Sequence, residues 1–153
     1  MDSWLAVERE LEQRGAAAPA EQKSGGGASG GQGLVVVSFA HAWNPGALFS
    51  ALAVEQLRSG PDISFARVFI VDPDVDRVAM HQHGATEGNQ PLDVVATPAF
   101  AFFWKGKVMT VRRPDWDDDV KFVGALDTEK ILDMIRHARE TAYNNEMLIH
   151  VDF

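Results

Sequence analysis

The 153-residue chain contains no cysteine at all. Disulfides, thiolate nucleophiles, cysteine-held zinc and iron–sulfur clusters are therefore excluded within it. Positive charge is scarce too: 14 Lys and Arg face 22 Asp and Glu, a formal net charge of −8. Such a chain lacks the clustered cations that phosphate-driven nucleic-acid binding needs, and it is repelled by an anionic membrane surface. Long apolar runs are missing. Leu34–Val37 and Ala99–Trp104 are the longest, far short of a membrane span. The charged stretch Met1–Arg14 does not read as a signal peptide.

What is present suits one folded body. Apolar residues make up 46% of the chain, enough for a single core. In residues 3–14, Trp4, Val7 and Leu11 share one helical face, with Asp2 or Ser3 as cap and Glu10–Arg14 as an i, i+4 pair. This helix is expected to dock on the body; a detached recognition helix is the alternative. Residues 15–33, with seven Gly and five Ala among 19 positions, read as a flexible linker.

Leu34-Val-Val-Val-Ser-Phe39 reads as a strand buried on both faces. A turn, Ala40-His-Ala-Trp-Asn-Pro-Gly46, leads to a helix that starts at Pro45 and whose period is carried by Leu48, Leu52 and Gln56. A second strand covers 65–71, followed by a helix over about 74–83 capped at Asp72-Pro73-Asp74. Residues 84–96 read as a loop. Ala99–Trp104, the Lys105-Gly106 turn and Lys107–Arg112 form a hairpin. An acidic loop, 113–119, precedes a short edge strand over 120–123. A last helix opens at Asp127 with Ile131, Met134, Ile135, Ala138 and Ala142 on one face, and residues 144–153 are left as a tail. The order predicts an α/β fold: a central mixed β-sheet with helices on both faces.

This layout, with Trp43-Asn44-Pro45 after the first core strand and Thr97-Pro98 before the hairpin, resembles the thioredoxin superfamily. The resemblance implies a three-layer α/β/α sandwich over 34–143. It puts the 37–46 turn where active members carry two cysteines, and implies a cis bond before Pro98. Within the superfamily, Phe39-Ala-His41-Ala-Trp43-Asn44-Pro45, Val68-Phe-Ile-Val-Asp72 and the run from Lys107 through Arg136 resemble the thioredoxin-like spliceosomal proteins of the U5 small nuclear ribonucleoprotein, the Dim family. The chain departs from that pattern at Ala42 and Asn44, where carboxylates are usual, at Ala47, where many members keep a cysteine, and at Glu140–Met147, which replaces a basic stretch.

The Dim resemblance implies a non-catalytic subunit of the U5 and tri-snRNP particles. It would act in pre-mRNA splicing in the nucleus through spliceosomal protein partners, with little direct nucleic-acid contact, no membrane and no small-molecule substrate. The alternative is a redox-inactive chaperone or adaptor holding extended peptides. His41, Trp43, Asn44, Pro45, Gly46, Thr97 and Pro98 form the candidate partner-binding face; Trp116 and Asp117 of Asp115-Trp-Asp-Asp-Asp119 form a second candidate, an anchor in an acidic docking loop. No catalytic residue and no cofactor is expected. His81 and His83 are two apart and make a poor metal pair; His41 is expected to be a hydrogen-bonded structural or interface residue, with no Ser or Cys nucleophile presented beside it.

Overall fold

The computed structural model describes residues 1–23, 33–75, 92 and 94–153; for 14–23 it describes the backbone alone. The elements run α1 (Trp4–Lys23), β1 (Leu34–Phe39), α2 (Pro45–Ser59), β2 (Arg67–Val71), β3 (Ala99–Trp104), β4 (Lys107–Val108), β5 (Thr110–Arg112), β6 (Phe122–Val123), α3 (Thr128–Tyr143) and β7 (Leu148–His150). The main sheet has the order β2-β1-β3-β4, with β6 pairing β3. β1 and β2 are parallel, with Phe39 level with Val71. β1 and β3 are antiparallel, with Phe39 level with Ala99.

β-strand geometry sends alternate residues of β1 to opposite faces. Leu34 and Val36 meet the buried stripes of α2 and α3. Val35, Val37 and Phe39 meet Trp4, Val7 and Leu11 of α1. The result is three layers, α/β/α, as the layout implies. Trp4 sits 6.2 Å from the Phe39 ring, and Ser3 caps α1 by accepting from the Ala6 amide. The first helix is thus docked. Glu10 reaches Arg67 at 3.4 Å; the Arg14 side chain lies outside the described ones.

Four expectations need correction. The first helix runs to Lys23, not to residue 14, because Ala16, Ala17, Ala18 and Ala20 are the strongest helix formers available. Residues 24–32 of the expected linker lie outside the described residues. The buried side of α2 is Ala47, Ser50, Ala51, Val54 and Leu57. Leu52 instead faces out, because small alanines let the helix lie close against the sheet. The strand expected over 107–112 is broken at Met109. Its amide still donates to Phe102 at 2.8 Å, but its neighbours beyond it turn away to pair with a different strand. That strand is β7, inside the expected tail: Leu148–His150 run parallel to Thr110–Arg112, with Ile149 and Val151 buried.

Elsewhere the reading holds. Pro45 opens α2 behind Asn44, and Asp127 caps α3 by accepting from the Lys130 amide. Lys105 and Gly106 both take positive φ, 52° and 85°, as a two-residue hairpin turn of the primed type requires. Of the helix expected over 74–83, Pro73–Val75 form a turn and the remainder, with His81 and His83, lies outside the described residues, as does most of the 84–96 loop.

Candidate functional site

The 40–46 turn leaves β1 at the end of the sheet where β2 also ends and β3 begins. Strand register therefore brings three chain segments together. Because Phe39 is level with both Val71 and Ala99, residues 40–44 must lie beside 72–74 and 97–98.

Asn44 joins two of them. Its Oδ1 accepts from the Gly46 and Ala47 amides at 3.1 and 3.4 Å, capping α2. Its Nδ2 donates to the Thr97 carbonyl at 3.0 Å. One side chain thus fixes the helix start against the corner before β3, where the Thr97–Pro98 bond is cis.

Asp72 and Asp74 join the third. Asp72 accepts from the Ala42 amide at 3.2 Å. Asp74 Oδ2 accepts from the Trp43 indole at 2.9 Å. Trp43 stacks on the buried His41 ring at 4.7 Å yet remains 69% exposed. Its far face is held out to solvent by groups that fix its near face and its polar edge.

His41 Nδ1 lies 2.7 Å from the Thr97 hydroxyl, a neighbour that the expectation, framed for Ser and Cys, did not consider. A hydroxyl paired with an imidazole is the start of a base-activated nucleophile. The rest of that arrangement does not follow. The third group, Asp74, is 3.6 Å from His41 Nε2, beyond hydrogen-bond range. The Thr97 oxygen also accepts from the His41 amide. The Gly46 and Ala47 amides, which could have held a developing oxyanion, are occupied by Asn44. The geometry is that of a clamp. Among the described residues no group of three or more His, Asp and Glu could hold a metal ion.

The structure brings His41, Trp43, Asn44, Thr97 and Pro98 together, with Pro45 and Gly46 exposed at the helix start. Trp116 and Asp117 stand apart on the 113–119 loop. Trp116, 59% exposed, lies under the Arg113 guanidinium at 4.3 Å, and the same group covers Phe122 at 4.0 Å. Arg113 donates to the Val123 and Phe153 carbonyls at 2.9 and 3.1 Å. Burial lowers its pKa, but a guanidinium keeps its charge. Beside it, Arg112 makes a bidentate pair with Asp118 at 2.7 and 2.8 Å. Those bonds hold the Asp118 carboxyl below its usual range and raise Arg112.

Sequence reasoning assigned Asp72 and Asp74 to a helix cap and missed their hold on the turn. The signal was available: parallel pairing of β1 with β2 would have set residue 72 beside residue 40. It also missed Arg113 as a hub.

No family model and no curated protein matches the chain. Solved structures do. Oxidised thioredoxin O2 from Arabidopsis thaliana superposes with a TM-score of 0.50 over 89% of each chain, at 15% identity. The fold is thioredoxin-like. Thioredoxins from Fasciola hepatica and Malassezia sympodialis are also similar. The first is 26% identical over 78% of this chain and 91% of its own, the second 22% over 82% and 87%; both have a TM-score of 0.47. At the end of the first strand of its thioredoxin-like sheet, this chain carries His41-Ala-Trp43-Asn44-Pro45 and no sulfur.

Proposed function

We propose that this chain is a non-catalytic, thioredoxin-like subunit of the U5 and tri-snRNP particles, acting in pre-mRNA splicing in the nucleus through contacts with other proteins. One observation carries the protein-binding part. The turn built on His41, Trp43 and Asn44 is cross-linked to Asp72, Asp74 and Thr97 by hydrogen bonds while Trp43 is presented to solvent. A rigid exposed tryptophan is the residue type that anchors interfaces. Thiol exchange requires an attacking thiolate, and these 153 residues hold none. The assignment to splicing rests on the likeness of Phe39–Pro45, Val68–Asp72 and Lys107–Arg136 to the Dim proteins. The acidic balance suits a subunit seated among basic proteins.

Affinity purification of the chain from its source cell, followed by mass spectrometry, tests this reading. Recovery of U5 and tri-snRNP proteins is the expected result; their absence from repeated preparations overturns it. The second reading, a redox-inactive adaptor for extended peptides, draws on the exposure of Trp43 beside the Thr97–Pro98 corner. It predicts binding of many unrelated peptides, lost on Trp43→Ala, where the splicing reading predicts a few large partners.

A further inference from the structure

Arg58, Arg67 and Arg112 each pair with a carboxylate, and Arg113 donates to two carbonyls. Arg136 and Arg139, on the outer side of α3, have no ion-pair or hydrogen-bond partner among the described residues. The last turn of α3 holds no basic residue, so attraction to the helix dipole, which falls off within that turn, does not account for them. The two are three residues apart and are neighbours on the helix surface. With Glu140, Tyr143 and Asn144 they line a cavity of about 360 Å³. Arg139 is braced: its guanidinium lies 4.7 Å from the centre of the Phe65 ring and 5.2 Å from that of Tyr143. Trp104 stands 5.7 Å from Tyr143 and extends the aromatic surface. Ring faces attract the charge of a guanidinium but leave its N–H fork open to an acceptor.

Charge narrows the choice of acceptor. Two guanidiniums against the Glu140 carboxylate leave the lining at +1 (2 − 1), on a chain of −8. Asp133, one turn nearer the start of α3, is outside the lining and pairs with neither arginine. One carboxylate neutralises such a lining. A nucleic acid carries a phosphate at every nucleotide, and all beyond the first would face an acidic chain.

We propose that the outer side of α3, from Arg136 to Asn144, docks an acidic segment of a partner protein. One Asp or Glu carboxylate of that segment sits between Arg136 and Arg139 and accepts charge-assisted hydrogen bonds from both. An apolar side chain next to it covers Tyr143, which is 50% exposed. The inference rests on the reading that the chain works through protein contacts. It adds a face to that reading, and a partner chemistry opposite to the one the overall charge favours.

The test uses the full chain, isotope-labelled for NMR. The probe is a short end-capped Gly/Ser peptide carrying one Asp-Phe pair. Control peptides replace the Asp by Asn or the Phe by Ser, and a uridine oligonucleotide of the same length is the nucleic-acid arm. Expected are shifts of the Arg136 and Arg139 Nε–H signals, of the ring of Tyr143, the one tyrosine in the chain, and of amides over 136–144. The Asn peptide should bind about tenfold more weakly, and so should the Asp-Phe peptide to Arg136→Gln, since each change removes a hydrogen bond to a charged group. Arg136→Gln should keep the parent melting temperature, because that side chain has no partner to lose. Arg139→Gln gives up two ring contacts as well, so Arg136→Gln is the deciding variant. Equal binding of either control peptide overturns the proposal. So do undiminished binding by Arg136→Gln, tighter binding of the oligonucleotide, shifts centred on 40–46 and 97–98, or no shift at millimolar peptide. Sedimentation of the parent as a dimer that Arg136→Gln abolishes gives the cavity to a second copy and overturns it too. Failure here and failure of the splicing reading are separable. Absence of peptide binding with U5 proteins still recovered sinks this site alone. Peptide binding on α3 without recovery of U5 proteins does the reverse.

Discussion

Two tryptophans stand exposed on this molecule, and they are held in different ways. Trp43 is fixed by its polar edge and one ring face: its indole N–H donates to Asp74, and the ring lies on His41. Trp116 is fixed by a cation over its ring, from an arginine that is itself anchored to two backbone carbonyls. The first arrangement spends its contacts on presenting a side chain. The second uses its tryptophan as one more lid on a structural hub. Exposure alone therefore does not mark an interface; what the underlying contacts accomplish does.

The sharpest way to break this contrast is to remove the hub. Arg113→Ala loses two charge-assisted bonds to carbonyls and the contacts over Trp116 and Phe122. The expected cost is about 3 kcal/mol, a fall in melting temperature of roughly 6–12 °C for a chain this long. Thermal denaturation checks it; a change under 2 °C or so would show that Arg113 is incidental. Asn44→Ala removes a helix cap and the tether to Thr97, at about 2 kcal/mol. Asn44→Asp keeps the cap alone and should fall between Asn44→Ala and the parent in urea unfolding.

The layers were legible because β1 and β3 are apolar at every position but Ser38, as strands covered on both faces are. The helix starts at Pro45 and Asp127 and the Lys105-Gly106 turn were legible because their chemistry is local; the Asn44 cap was not read. Three further features were not. Periodicity placed Leu52 on the stripe of α2, but Ala47 and Ala51 won the inner side through close packing, which hydropathy does not report. Leu148–His150 is three residues long, too short to read as a strand before its partner Thr110–Arg112 is known. At the site, Trp43, Asn44, Thr97 and Pro98 were named correctly as neighbours. The carboxylates that hold the turn were not, because their role depends on which strand lies beside β1.

Smaller effects refine the contrast between the tryptophans. Trp43→Ala and Trp116→Ala should each change stability by about 1 kcal/mol or less, since both side chains are largely solvated. Only Trp43→Ala is expected to weaken partner recovery in affinity purification. Equal loss from both would erase the distinction. The smallest effect comes from the Arg112–Asp118 pair on the same loop. Asp118 titrates below its unfolded value because Arg112 donates to it. The pair therefore supports the fold fully above about pH 4, and this support fades as pH falls through the depressed folded value. Both groups are solvated, so the slope is shallow. Asp118→Asn should flatten the acid limb of urea midpoints measured against pH and leave the neutral midpoint close to that of the parent.

The first helix has a consequence for how the molecule is made. Trp4, Val7 and Leu11 leave the ribosome before anything they touch exists. Their seat is assembled from Val35, Phe39, Phe69, Phe103 and Val120, so the last wall arrives more than a hundred residues later, roughly ten seconds at ordinary translation speed. Throughout that interval the nascent chain carries an unburied tryptophan stripe, and then a bare apolar sheet face. The helix can complete its seat on the sheet only once Val120 has arrived.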